Sequence, residues 1–238
     1  MELQISHDIA ARYPSLRIGL LTGRNLRPKV ERNGSDLETL RGEVCEHLRQ
    51  RQPTAETLAK HPFIAAWRET YQSFGTKANR YKPTAEALID RVIKGKEIPR
   101  ITPLVDLYLI IEVRHLLPVG GYDLDLVNDP ITLRFAAGGE EFLPIGGSKT
   151  EQVEPGEVIY TDTKQVLTRR WNYRDCDATK ITDDSHNILL MIEAPSDKIP
   201  TDALQTAIDD LLRILSDFFE GEFETRVVDC AFGLSFTI

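Results

Sequence analysis

The sequence predicts an α+β fold, and three observations lead there. Helical patterns fill the first half, from Ser35 to Leu117. Strand patterns dominate from Leu126 to Glu193. Ala203 to Phe219 then closes the order as an amphipathic helix with Leu204, Ala207, Ile208, Leu211, Leu212, Leu215 and Phe218 on one face. Segregated helices and strands, rather than strict alternation, are the pattern of α+β proteins. The chain has 238 residues, 41% apolar and 28% charged, which suits one domain over residues 1–238 with a core of useful size.

In chain order, Leu3 to Ser6 reads as a short strand and Asp8 to Tyr13 as a helical turn ended by Pro14. Leu16 to Leu21 is a strong strand, with Gly23 expected to close it. Lys29 to Gly34 is polar and reads as loop. Ser35 with Glu38 three residues on is a capping-box spacing, predicting a helix to about Arg51 before Pro53. Thr54 to Lys60 and Pro62 to Phe74 are two further helices, the second stopped by Gly75. Pro83-Thr84 opens a helix over Ala85 to Lys94, with Gly95 as its stop. Thr102 can cap the next helix and Pro103 fits its first position, where a missing N–H costs nothing. Leu104 to Leu117 carries only Asp106, Glu112, Arg114 and His115 as charged or titratable positions, so this helix is expected to be buried. Pro118 stops it, Gly120-Gly121 is expected to turn, and Asp123 and Asp125 follow. The strands are expected at Ile131–Ala136, Glu141–Pro144, Val158–Thr161, Val166–Trp171, Asn187–Glu193 and within Phe223–Phe232. Gly138-Gly139 is read as a hairpin turn between two of them.

Net charge is −8, which argues against indiscriminate nucleic-acid binding. The charge is uneven. Arg68 to Arg100 holds eight basic and four acidic residues, so this segment is +4 and the remainder −12. Such a face can contact a polyanion, and a solvated helix face explains the same count. No apolar run approaches the roughly 18 to 20 residues that span a bilayer. Met1 to Ser6 lacks the basic and apolar regions of a signal peptide, and Cys45, Cys176 and Cys230 are isolated, so a reducing cytoplasm is expected.

Several chemistries fall away. Gly146-Gly147-Ser148-Lys149-Thr150 lacks the glycines of a phosphate loop. Asp123-Leu124-Asp125 fails as a calcium loop at Val127 and Asn128. His7, His47, His61, His115 and His186 have no metal-ligand spacing, and no serine sits in a nucleophile elbow. No metal and no cofactor is expected. Arg169-Arg170-Trp171-Asn172-Tyr173-Arg174 is a compact recognition composition. Arginine grips phosphate or carboxylate with two donors, and tryptophan stacks on a base. A half-buried Trp171, with the arginines paired to Asp162, Asp175 and Asp177, is the alternative.

A set of segments carries a resemblance. They are Trp67-Arg68 with Tyr71 and Phe74-Gly75, Pro83-Thr84 with Glu86-Ala87-Leu88, and Ile98-Pro99 with Pro103 to Tyr108. Leu117 to Gly121 with Asp123-Leu124-Asp125, Phe142 with Pro144 to Gly147, and Arg169 to Arg174 continue it. Together they resemble the free-standing version of the tRNA-binding and editing domain of the phenylalanyl-tRNA synthetase beta subunit, over roughly residues 67–193. The resemblance implies a layered α+β fold and a tRNA or aminoacyl-tRNA partner. It also implies hydrolysis of mischarged aminoacyl-tRNA in trans. Carried over, the catalytic region is Asp106, Gly120, Gly121, Gly146 and Gly147, and the substrate pocket Thr102, Asp123, Trp171 and Asn172. The tRNA contacts are Arg68, Lys77, Arg80, Lys82, Arg91, Arg169, Arg170 and Arg174. The chain departs from family members at Thr102 and Leu109, where asparagine is common, and from the synthetase at Gly120, where histidine stands. Those departures keep two other readings open, a non-catalytic RNA- or ligand-binding module and a small-metabolite enzyme reusing the pocket. The sequence does not fix the oligomeric state.

Overall fold

A computed structural model describes residues 1–31, 34–51 and 53–238. The chain opens with β1 (Glu2–Ile5), α1 (His7–Arg12) and β2 (Arg17–Pro28). Helices α2 (Gly34–Gln50), α3 (Ala55–Ala59), α4 (Pro62–Ser73), α5 (Thr84–Ile93) and α6 (Pro103–His115) follow. Next come β3 (Val119–Asp123), β4 (Ile131–Phe135), β5 (Glu141–Phe142), β6 (Glu151–Gln152), β7 (Val158–Thr161), β8 (Val166–Arg169), β9 (Arg174–Asp175) and β10 (Ile188–Ala194). The chain closes with α7 (Thr201–Phe218), β11 (Phe219–Asp229) and β12 (Ser235–Thr237).

Two sheets face each other. The larger has the order β12-β1-β4-β7-β8-β9 and the smaller β11-β2-β10-β3, with β5-β6 a separate short ribbon. The amphipathic α7 packs on β2, β10 and β11, covering one face of the smaller sheet. Helix α6 packs on α7 and β3, with α2 outside it. A helix enclosed this way reads as apolar on every side, and Leu104, Leu107, Ile110, Ile111 and Val113 are buried. Strand β10 lies between β2 and β3 and all seven of its residues are buried. The sheet therefore needs side chains that suit two covered faces, which Ile188 to Ala194 supplies except at Glu193.

Several expectations are corrected. Gly120-Gly121 does not turn; it lies inside β3, with Gly120 opposite Met191 and Gly121 opposite Leu190. Gly121 is required there because a Cβ would stand 2.2 Å from the Leu189 carbonyl oxygen. Gly23 does not close β2, which pairs on both edges as far as Gly23 and continues along β11 to Pro28. Gly138-Gly139 does not make a hairpin, since β4 pairs with β1 and β7 while β5 pairs with β6. Ser35 is not the cap of α2 but lies within its first turn, because the helix already includes Gly34. Part of the loop expected over Lys29 to Gly34 lies outside the described residues. Thr102 does cap α6, its hydroxyl accepting from the Val105 amide. No helix among the described residues is long and apolar enough to cross a membrane.

Candidate functional site

Paired residues of an antiparallel ladder share a face, so Gly120 and Tyr122 of β3 stand on the same side as Met191 and Leu189 of β10. Glu193 follows on that side two residues later. Opposite, on the larger sheet, Tyr160 of β7 pairs with Thr168 of β8. Between the sheets all of these but Leu189 enclose a cavity of about 30 Å³, completed by Thr84, Val119, Gly121, Trp171, Asn172 and Asp175. Gly120, Thr84, Asn172 and Asp175 keep partial exposure and form its mouth.

Two hydrogen-bond chains line the cavity. In the first, Thr168 Oγ1 lies 2.6 Å from the Tyr122 hydroxyl and donates to Asp175 Oδ1 at 2.6 Å. In the second, the Tyr160 hydroxyl and Trp171 Nε1, the latter at 2.7 Å, both donate to Glu193 Oε1. Asn172 Nδ2 reaches Glu193 Oε2 at 3.3 Å, and the Tyr71 hydroxyl donates to Asn172 Oδ1 at 2.7 Å. Burial pushes the Asp175 carboxyl up to about 6, against the Thr168 hydrogen bond. Burial pushes Glu193 up to about 7 despite its three donors. Behind Thr84 and Val119, Glu112 of α6 is 1% exposed, and burial pushes it up to about 8. Two acids lining the cavity, and a third packed behind its wall, are thus raised toward neutral pH by burial, the condition in which a carboxyl exchanges protons.

Trp171 reaches this site through an unusual backbone. Arg170 and Trp171 have φ of 49° and 68°, a left-handed pair that side chains rarely adopt. The turn swings the indole inward, where it meets Tyr13 at 4.8 Å and Trp67 at 5.4 Å edge-on. Trp171 is therefore a fully buried anchor that orients Glu193, not a surface stacking platform.

Other expected residues lie elsewhere. Asp106 is buried on α6, ion-paired to Arg41 and accepting from the Ile101 amide at 2.8 Å, so it fixes the helix start. Asp123 accepts from Ser185 Oγ at 2.6 Å and from the Asp125 amide, holding the turn after β3. Gly146 and Gly147 do not line the cavity, and their amides donate to Asp177 Oδ1 and the Pro144 carbonyl. Thr102 borders a separate recess with His186 and Phe219.

The cations divide into two sets. Arg169 and Arg170 are each 4% exposed and converge on Glu157, at 2.6 and 2.7 Å, with Glu151 and Glu154 outside them. Their partners are not Asp162, Asp175 and Asp177, and they present no free charge at the surface. Arg68 pairs with Glu86, Lys82 with Asp90, and Arg91 donates to the Glu97 carbonyl. Lys77, Arg80 and Arg174 are exposed and make no ion pair among the described residues. Arg80 lies over Tyr81 and Arg174 over Tyr173, and the two rings meet edge-on at 5.2 Å. Tyr173 and Arg174 directly follow the cavity residue Asn172, so the cluster of Arg80, Tyr81, Tyr173 and Arg174 adjoins the cavity through that segment.

The B3/4 domain model matches residues 66–219, nearly two thirds of the chain and every strand around the cavity. The chain belongs to the B3/4 domain family. The B3/4 domain is found in the phenylalanyl-tRNA synthetase beta subunit, which agrees with the resemblance read from the sequence. Among solved structures, the chain is similar to an N-terminal fragment of the phenylalanyl-tRNA synthetase beta subunit from Pyrococcus horikoshii. Identity is 10% and the TM-score 0.45, over 94% of this chain and 49% of that one. The B3/4 chain thus spans about half the length of that fragment. No curated protein matches it.

Thr84, Tyr122, Tyr160, Thr168, Asp175, Met191 and Glu193 line the B3/4 cavity, and sequence reasoning did not select them. Glu193 carried a usable signal, as the one charged residue in the otherwise apolar Ile188 to Ala194. Glu112 carried a weaker form of it, since Asp106, Arg114 and His115 share α6. A lone acid in a buried run costs too much to be incidental.

Proposed function

We propose that this B3/4 domain hydrolyses mischarged aminoacyl-tRNA in trans, with the ester held at the cavity mouth. The observation that supports this reading most is the adjacency of acids tuned toward neutrality to a patch of unpaired cations and tyrosines. Lys77, Arg80 and Arg174 would neutralise phosphates, and Tyr81 and Tyr173 offer rings to an unpaired base. Asp175 is the general base. It takes a proton from water as the water oxygen bonds to the ester carbonyl carbon. The bond to the ribose oxygen then breaks, and the proton passes to that oxygen, releasing amino acid and tRNA. Thr168 and Tyr122 hold the Asp175 carboxyl in place. An aminoacyl ester is already activated, so a positioned water and base suffice without a protein nucleophile.

The test charges bulk tRNA with each amino acid in turn, including wrong pairings, and follows ester loss with and without protein. Selective loss of one species is expected. Asp175→Asn should slow it about a hundredfold or more. Flat decay across the panel overturns the reading. A cavity of about 30 Å³ holds no large side chain, which favours a second reading, a non-catalytic module that binds without turnover. Under that reading tRNA binds and every ester survives.

A further inference from the structure

We propose that β11 is a self-pairing edge, where a second copy of this chain adds its own β11 antiparallel and joins the two smaller sheets into one. Strand β11 is 11 residues long and ends the order β11-β2-β10-β3, so no strand lies on its outer side among the described residues. Residues 220–222 and 224–226 are exposed, and Phe223 and Val227 are half-buried. Every second residue of an edge strand turns its N–H and C=O outward, and such a row is a template for another strand. The two faces of β11 differ. Val227 lies opposite Gly19, where a Cβ would meet Ile208 of α7, so Phe223, Thr225 and Val227 share the α7 face. Glu222, Glu224 and Arg226 share the other face, where Arg226 lies over Phe236 of β12 at 5.9 Å.

Natural edges carry charge to repel copies, and a single sign suffices for that. This edge carries both signs, and their order decides the pairing. Centring the two-fold axis on Thr225 sets Glu224 opposite Arg226 of the second copy and Phe223 opposite its Val227, each twice. Glu222 then stands diagonal to the same Arg226. Moving the axis by one residue fails on either side. On Glu224 it sets that acid against itself, and on Arg226 it sets two guanidinium groups together. An axis between residues loses the ladder, because outward-facing groups then meet inward-facing ones. Glu222, Glu224 and Arg226 make no ion pair among the described residues, so all three are free to take these partners. Phe232, 91% exposed on the turn after β11, stands at either end of the paired stretch, where the second copy's strand begins. Strand β3, whose Gly120 lines the cavity, is the opposite edge of the sheet, so the pairing leaves that side open in both copies. The proposal is independent of the deacylase reading.

Sedimentation of the full chain over a range of concentrations tests this. A reversible dimer of twice 26.9 kDa is expected. Arg226→Glu and Glu224→Arg each put like charges opposite one another. Each should weaken the dimer about tenfold or more while retaining the circular dichroism of the parent. Mixed in equal amounts, the two variants restore both charge pairs between unlike copies and should dimerise as the parent does. Thr225→Cys, at the axis, should cross-link to its own counterpart under mild oxidant, and Glu222→Cys should not. The native Cys45, Cys176 and Cys230 are buried and do not compete. A chain that stays monomeric at every concentration overturns the proposal and leaves the edge to an extended segment of another protein. A dimer indifferent to both single variants, or a mixture that stays monomeric, overturns β11 as the surface. If either charge variant loses the parent's spectrum, the two cysteine variants decide alone, and equal cross-linking of both overturns the register.

Discussion

Glu112 shows how one side chain in the wrong company sets a property of the whole protein. An unfolded aspartate titrates near 3.8 and a glutamate near 4.5, while burial lifts Asp175 to about 6, Glu193 to about 7 and Glu112 to about 8. Between these values the folded chain holds protons that the unfolded chain has released. Stability therefore falls as pH rises from about 4.5 to about 8, by about 1.4 kcal/mol per pH unit for each group still protonated. Glu112→Gln removes its share of that slope. Urea midpoints from pH 5 to 8 check this, and parallel slopes for parent and variant would sink it. The glycines of β3 make a second residue-scale contrast. Gly121→Ala drives a methyl into the Leu189 carbonyl and should cost about 3 kcal/mol. Gly120 has open space at the same atom, so Gly120→Ala should leave thermal stability nearly unchanged while filling the cavity mouth and blocking ligand. Deacylation that survives Gly120→Ala undiminished would move the site elsewhere. Asp175 adds a kinetic expectation: hydrolysis rises with pH through about 6 as the base ionises.

At the scale of elements, the β7–β8 hairpin is held by buried charge as well as by its turn, where Asp162 accepts from the Lys164 and Gln165 amides. Glu157, just before β7, receives both Arg169 and Arg170 in the interior. Removing it leaves two buried guanidinium groups with only the exposed Glu151 and Glu154. Glu157→Ala should then cost about 3–5 kcal/mol by denaturant unfolding, far above a surface ion pair. A loss below about 1 kcal/mol would mean that water enters and the pairs are not structural. The same arrangement explains why these arginines resemble nucleic-acid contacts in sequence. The guanidinium groups that would grip phosphate instead grip a carboxylate at the start of the neighbouring strand, and the pairing of β7 with β8 brings Glu157 there.

The whole molecule is acidic, yet Lys77, Arg80 and Arg174 are exposed cations without ion pairs among the described residues. Lys77→Glu, Arg80→Glu and Arg174→Glu together should abolish effects on aminoacyl-tRNA and leave unfolding midpoints within experimental error. The dependence of tRNA affinity on salt should lose a slope of about two, as expected for three phosphate contacts. An unchanged salt slope would exclude the patch as the tRNA surface. The B3/4 architecture gives the patch its position. The two facing sheets create the cavity, and the loops between α4 and α5 and after β8 bring cations to its edge.

Much of this fold was legible from periodicity. Helix α6 with its Thr102 cap, the amphipathic α7, and the strands at Val158 and Ile188 follow from local spacing and apolar patterning, which act over a few residues. Trp171, Asn172 and Gly120, singled out in the sequence by rare composition and small size, line the cavity. The other half of the site was not legible. Whether Gly120-Gly121 bends or lies flat depends on β10 offering a partner ladder. What an aspartate does depends on what surrounds it: burial raises both Asp175 and Asp106, but only Asp106 gains the Arg41 ion pair that pins it. The sequence by itself determined the α+β class, the element order and the kinship with the synthetase domain. Only the tertiary structure decided which carboxyls meet at one cavity, because desolvation and pairing arise between residues far apart in the chain.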